Sequence, residues 1–189
     1  MVHVEIVTYA NTKKKVFSTP FAVKANGSLC VFQLPSLTET FKSFGLERNA
    51  AFILISCNLS ANKSPRVSND APDWDMMSDY FGSLSNTFFP SSFETVTLSD
   101  PRLDLKDFKK DSEGQVSFVL TCSSIAPFIW IESPSKGRFS RNAFLGIPGE
   151  SYAVLFKVWT GDFDIDRFKA SLRVRSLWDT LPKTGCSVM

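Results

Sequence analysis

Histidine is almost absent from this chain of 189 residues, and its scarcity removes several kinds of active site at once. His3 is the only histidine, inside an alternating stretch at the extreme N-terminus. A Ser-His-Asp or Cys-His apparatus would have to use it, and we expect instead an outward-facing strand side chain. The four cysteines, whose pairing the sequence does not decide, have no C-x-x-C spacing: Cys30, Cys57, Cys122 and Cys186. We therefore expect neither a zinc site of the usual type nor a cofactor.

Excess charge and long apolar runs are lacking too. Lys and Arg number 21 against 19 Asp and Glu, which is too balanced to attract nucleic acid or an anionic membrane. The basic run 13–15 is predicted to be a solvated hairpin turn. No apolar stretch approaches the roughly 20 residues of a membrane span. Residues 1–6 lack the features of a signal peptide, so we expect that the chain does not enter the secretory route unaided.

The first half of the chain predicts strands and one helix. Apolar and polar residues alternate from Val2, and the predicted strands are 2–9, 16–24, 29–34 and 52–59. Asn26-Gly27 indicates a hairpin between the second and third of them. Ser36 and Glu39 form a capping box for a short helix, and Gly45 is its expected stop. Residues 74–89, rich in aromatics and Ser, are left unassigned.

The second half predicts a further series of strands: 102–106, 116–121, 128–131, 139–145, 152–158 and 172–177. We expect a turn at 147–150 and a helical turn at 164–170 with Asp164 near its start. Short strands with frequent turn signals and little helix indicate an all-β fold of antiparallel sandwiches. We predict two immunoglobulin-like modules, at 1–95 and 96–180, followed by a flexible tail at 181–189.

The segment 126–144 is the most informative part of the chain, with Ala-Pro-Phe-Ile-Trp-Ile-Glu-Ser followed by Gly-Arg-Phe-Ser-Arg-Asn-Ala-Phe. It resembles Ala-Pro-Phe-Val-Trp-Leu-Asp…Gly-Arg-Phe-Ser-Asp-Asn-Gly-Phe near the C-terminus of animal lysosomal β-mannosidases. These family-2 glycoside hydrolases remove terminal β-linked mannose from glycan fragments. The shared residues, for which the resemblance implies a structural role, are Pro127, Phe128, Trp130, Gly137, Arg138, Phe139, Ser140, Asn142 and Phe144. Two positions depart from the family: Arg141 replaces the usual Asp, and Ala143 replaces the usual Gly.

The resemblance extends more modestly over nearly the whole chain and implies an accessory region. In the family, two glutamates on a preceding (β/α)₈ barrel carry out the chemistry. Such a barrel takes about 250 residues, so no catalytic residue is carried over to this chain. The resemblance implies the catalytic body of a β-mannosidase as partner and a lysosomal or secreted parent. It also implies that Met1 opens in mid-domain, leaving the first module incomplete and its first strand, 2–9, with an open edge.

A free-standing carbohydrate-binding or protein-interaction module remains the alternative function, while an independent glycosidase is disfavoured by the length. Three tripeptides at Asn26, Asn58 and Asn62 match N-glycosylation sites, although a Ser-rich sequence also produces them by chance. The end of the chain from Cys186 matches a prenylation box only loosely, and we favour chance there. Trp130, flanked by apolar residues, is predicted to lie in the core. Trp74, in a polar loop, is predicted to be exposed or to pack against a neighbouring domain.

Overall fold

The structure is a computed structural model, and it describes residues 1–22, 28–34, 36–58, 83–112, 114–159 and 163–181. The chain divides into two compact units, Met1–Thr97 and Leu98–Met189. Within the described residues, no helix is long and apolar enough to cross a membrane.

The first unit is built on one antiparallel sheet. Its elements are β1 (Val2–Thr8), β2 (Lys13–Thr19), α1 (Leu37–Ser43), β3 (Ala51–Asn58), β4 (Ser83–Phe88) and a 3₁₀ turn at Phe93–Thr95. The strand order is β2-β1-β3-β4. The open edge expected at the first strand is a wrong prediction, because β1 pairs with β2 on one side and with β3 along its whole length on the other.

Helix α1 covers one face of this sheet. Val4 and Ile6 alternate towards that face, and Phe41 of α1 packs against them with 1% of its surface exposed. The Ser36 half of the predicted capping box is confirmed, since the Ser36 hydroxyl accepts a hydrogen bond from Glu39 N. Gly45 follows the helix with φ of 68°, a conformation that glycine adopts without steric cost. Packing on one face and caps at both ends therefore fix this short helix.

Two further predictions for the first unit are wrong. Lys13, Lys14 and Lys15 begin strand β2, and the turn lies just before them, where Thr8 N donates to Thr12 O. All three lysines are exposed on an edge strand, a position where charge discourages pairing with another sheet. Residues 29–34 form no strand, although apolar side chains among them pack on the α1 side of the sheet. The Asn26-Gly27 hairpin lies outside the described residues.

The second unit is a sandwich of two antiparallel sheets. Its elements are β5 (Asp104–Lys110), β6 (Val116–Thr121), β7 (Ala126–Glu132), β8 (Gly137–Phe139), β9 (Phe144–Gly146), β10 (Tyr152–Val158), α2 (Ile165–Ser171), β11 (Arg173–Arg175) and a 3₁₀ turn at Leu177–Thr180. One sheet has the order β5-β6-β10-β8 and the other β11-β7-β9. The all-β prediction is confirmed. The strand predicted at 139–145 is instead two short strands, which lie in different sheets.

Aromatic side chains fill the core between these sheets. Phe156 of β10 lies 4.7 Å from Phe139 and 4.8 Å from Phe168, measured between ring centroids. Phe168 belongs to α2, which begins at Asp164 as predicted: the carboxylate caps the backbone N–H groups of residues 166 and 167. Because α2 delivers a fully buried ring, it closes part of the core that the strands leave uncovered.

Candidate functional site

Strand β7 turns two large aromatic side chains away from the core. Ile129 and Ile131 are buried, whereas Phe128 is 44% exposed and Trp130 is 47% exposed. The prediction that Trp130 lies in the core is therefore wrong. Successive side chains of a strand point to opposite faces, so burial of the two isoleucines puts Trp130 on the outer face. Glu132, two residues further on, shares that face.

Charged groups surround the Trp130 indole on the outer face. Its Nε1 donates a hydrogen bond of 2.9 Å to Glu132 Oε1, which fixes the orientation of the ring. Across the strand pair, Arg175 lies opposite Trp130 and Arg173 opposite Glu132. Both arginines are exposed, and within the described part of the chain neither guanidinium forms a hydrogen bond or ion pair. The face therefore combines an oriented indole with one carboxylate and two available cations.

An open groove of about 610 Å³ adjoins this face. It is lined by the end of β7 with the loop after it and by the connection from α2 to β11, namely Glu132, Ser133, Pro134, Ala170, Ser171, Leu172 and Arg173. Glu132 and Arg173 belong to both the groove and the outer face of β7. The groove and the indole form one continuous surface, which we call the Trp130 site.

A bulge in β7 sets the position of Phe128. The pairing of β7 with β9 slips between Ala126 and Ile129, and Phe128 has φ of 55°. The extra residue lets Ala126 and Ile129 both face inward, although they are three positions apart. Across from them, a Cβ atom on Gly146 would lie 2.6 Å from Ile129 Cδ1, so a side chain at this position would require the Ile129 side chain to shift.

Asn142 takes the place of a strand residue beside β7. Its Oδ1 accepts a hydrogen bond of 2.8 Å from Ile131 N, and its Nδ2 donates one of 2.9 Å to Ile131 O. The amide therefore satisfies both backbone groups of a buried residue at the point where β9 has not yet begun. Oδ1 also accepts from Ala143 N at 3.2 Å. Ala143 has φ of 55°, a conformation that glycine adopts with less strain than alanine.

Other residues shared with the family hold β8 against β10. A Cβ atom on Gly137 would overlap the Phe156 ring and lie 2.5 Å from Lys157 O, so the strands approach this closely only without a side chain. Ser140 donates its backbone N–H to Leu155 O at 2.8 Å, and its hydroxyl accepts from Leu155 N at 3.0 Å. Ser140 thereby extends the ladder beyond the end of β8.

Arg141, where the family usually has Asp, lies over two aromatic rings. Its guanidinium carbon is 5.5 Å from the centroid of Phe144 and 5.9 Å from that of Tyr152, within the range of a cation–π contact. The Tyr152 hydroxyl donates to Glu150 Oε2 and accepts from Ile147 N. Burial, together with the Glu150 carboxylate, raises the pKa of Tyr152 far above its ordinary value. The ring therefore stays neutral, and its hydroxyl pins the predicted turn at 147–150.

The remaining predicted sites are scattered. Pro127 is buried in β7, whereas Arg138 is exposed on β8 opposite Lys157. Cys30, Cys57 and Cys122 are free thiols. Burial and the Glu150 carboxylate raise the pKa of Cys122 to about 11. Several predicted positions lie outside the residues or side chains that the structure describes: Asn26, Asn58, Asn62, Trp74 and Cys186.

The second unit is similar in sequence to part of known β-mannosidases. Residues 98–180 match the family profile Ig_mannosidase, an Ig-fold domain. β-Mannosidase A of Emericella nidulans is 33% identical over 102 residues, which cover 52% of this chain and 10% of that protein. The β-D-mannosidase from Dictyoglomus thermophilum has the same fold with a TM-score of 0.63 at 13% identity, over 93% of this chain and 18% of that chain. The chain thus spans about a tenth of the curated relative. The expected resemblance to the Ig-like region of β-mannosidases is confirmed.

Proposed function

We propose that this chain is a non-catalytic, accessory β-sandwich region of a β-mannosidase-like glycoside hydrolase. The proposal rests on the contacts made by the residues of the segment that resembles the family. Gly137 permits the close approach of two strands, Asn142 replaces a strand partner, and Ser140 lengthens a ladder. These residues hold a sandwich together, which is the work of a supporting module. The match covers only 10% of the length of β-mannosidase A, which also supports an accessory role.

The parent enzyme would remove terminal β-mannosyl residues from glycoprotein-derived oligosaccharides in the lysosome or outside the cell. Its barrel would supply the two carboxylates, since hydrolysis needs an acid/base and a nucleophile held at a fixed separation across the sugar. The role of the present chain would be to pack against that catalytic body and stabilise it.

Two experiments test the proposal. The purified chain should not cleave an aryl β-mannoside above background, and turnover that survives repeated purification would refute the non-catalytic role. In the second experiment, the part of the Emericella nidulans enzyme that corresponds to residues 98–180 of this chain is replaced by those residues. The hybrid should keep β-mannosidase activity. Gly137→Ala should lower its inactivation temperature, because the new methyl group overlaps a buried ring. If the hybrid folds and Gly137→Ala leaves its inactivation temperature unchanged, the supporting role is contradicted.

The exposure of Trp130 favours a second candidate, a carbohydrate-binding module. An aromatic ring that is half exposed beside a groove is a feature that binding sites use, because its face is apolar while its rim can hydrogen-bond. Binding of a sugar by the isolated chain without turnover would support this candidate. It is compatible with the accessory role, since a supporting module can also carry a binding site.

A further inference from the structure

We propose that the Trp130 site binds β-linked pyranosides that present an all-C–H face. The inference rests on the second candidate function and names its ligand class, and it stands or fails separately from the accessory role, because it concerns the isolated chain and requires no catalytic partner. It follows from the indole, the polar groups of the groove and the shape of such sugars.

The indole of Trp130 is a prepared stacking surface. Almost half of the residue is exposed, and the hydrogen bond from Nε1 to Glu132 Oε1 holds the ring without any ligand. A ring that is already oriented loses little conformational freedom when a ligand arrives, so more of the contact energy remains as affinity. Phe128 lies on the same strand and is also exposed, which widens the apolar area.

The groove offers hydrogen-bonding capacity next to that surface. The Ser133 hydroxyl accepts from Ser135 N and still has its own proton to donate. The Ser171 hydroxyl donates to Phe168 O and can still accept. Arg173 contributes guanidinium donors that no described residue uses. Donors and acceptors in one groove suit the hydroxyl groups of a sugar, each of which is both donor and acceptor.

The combination favours one stereochemical class. In β-gluco- and β-mannopyranosides, the axial substituents on one ring face are all hydrogens, and this apolar face can lie flat on an indole. In the α-anomers the glycosidic oxygen is axial on that face and would hold the ring away. The groove of about 610 Å³ falls within the range of small-ligand sites, roughly 300–1,000 Å³. It therefore has space for a pyranose beside the stacking ring.

Titration of the isotope-labelled chain with methyl β-D-mannopyranoside tests the proposal, with ¹H–¹⁵N NMR spectra following the four tryptophan indole signals. Methyl β-D-glucopyranoside and methyl α-D-mannopyranoside are the comparison ligands. Trp130→Ala assigns its signal and removes the stacking surface, whereas Trp130→Phe keeps an aromatic face. Trp159→Ala is the matched control, since Trp159 is 67% exposed and does not line the groove. Arg173→Ala tests whether the hydrogen-bond donors of the groove contribute to binding.

We expect both β-glycosides to shift the Trp130 indole signal saturably and the α-anomer to do so at least tenfold more weakly. Trp130→Ala should reduce affinity at least about tenfold, as truncation of a central aromatic anchor does. Trp130→Phe should recover part of it, Arg173→Ala should weaken it, and Trp159→Ala should leave it unchanged. The proposal is overturned if no β-glycoside shifts the signal, if both anomers bind equally, or if Trp130→Ala binds normally. Shifts of the Trp130 signal that follow protein concentration alone would also overturn it and would indicate a protein-docking surface.

Discussion

Asn142→Ala is the substitution that most directly tests how the second unit is held together. It removes the acceptor and the donor that Ile131 N–H and C=O use, while Ile131 itself is only 2% exposed. An unsatisfied buried backbone group costs about 1–3 kcal/mol, and water can reach partly buried Asn142 to recover some of that loss. We therefore expect a loss of about 2–4 kcal/mol in the free energy of unfolding of this unit. For a domain of this size, that corresponds to a fall in Tm of roughly 8–25 °C.

Urea denaturation combined with amide hydrogen exchange measures this effect. Exchange separates the two units, which need not unfold together, and the Ile131 amide should lose protection first. Asn142→Asp is the matched control, because its carboxylate can accept from Ile131 N but cannot donate to Ile131 O; it should retain part of the stability. Asn49→Ala removes one long, exposed hydrogen bond of 3.4 Å and should change little. If Asn142→Ala lowers stability by less than about 1 kcal/mol and Ile131 stays protected, the amide does not act as a strand partner.

Three further predictions concern the stability of the second unit and involve Ala143, Trp130 and Cys122. Ala143→Gly should raise the stability of the second unit by about 1 kcal/mol, since φ of 55° is strained for alanine; a lower Tm would contradict this. Trp130→Ala should lower stability by less than the 3–5 kcal/mol typical of a buried aromatic, and a loss in that range would show that the ring is buried. Because the pKa of Cys122 is raised to about 11, its protonated thiol favours the fold: this contribution is full below about pH 9 and falls as the pH rises towards 11. Urea denaturation across that window should show a fall in stability of about 1–2 kcal/mol that Cys122→Ala removes.

Much of the fold could be predicted where local signals agreed. The predicted strands 116–121 and 152–158 have the observed bounds, because apolar and polar residues alternate there between clear turn signals. Within the described residues, both α-helices begin where a capping side chain indicated, at Ser36 and Asp164. A capping residue acts on the backbone next to it, so its effect is visible in the sequence itself.

Features set by pairing partners could not be predicted in this way. Lysines are poor strand formers, yet 13–15 form a strand because β1 is available to pair with them. The predicted strand 139–145 divides because Asn142 bonds sideways to Ile131, which ends one sheet and starts the other. Both effects depend on which backbone groups a neighbouring strand leaves to be paired, and apolar alternation does not reveal that.

The outward direction of Trp130 did have a signal in the sequence. Every residue from 126 to 131 is apolar, so alternation alone cannot say which side chains are buried. Glu132 resolves the ambiguity: a carboxylate at the end of the strand belongs on the solvent side, and a residue two positions earlier shares its face. Trp130 and Glu132 therefore point outward together, and their hydrogen bond fixes the indole there. Similarity to a family could not show which side chains point inward and which point outward. In the same motif, residues buried in the sandwich alternate with Trp130, whose ring is exposed.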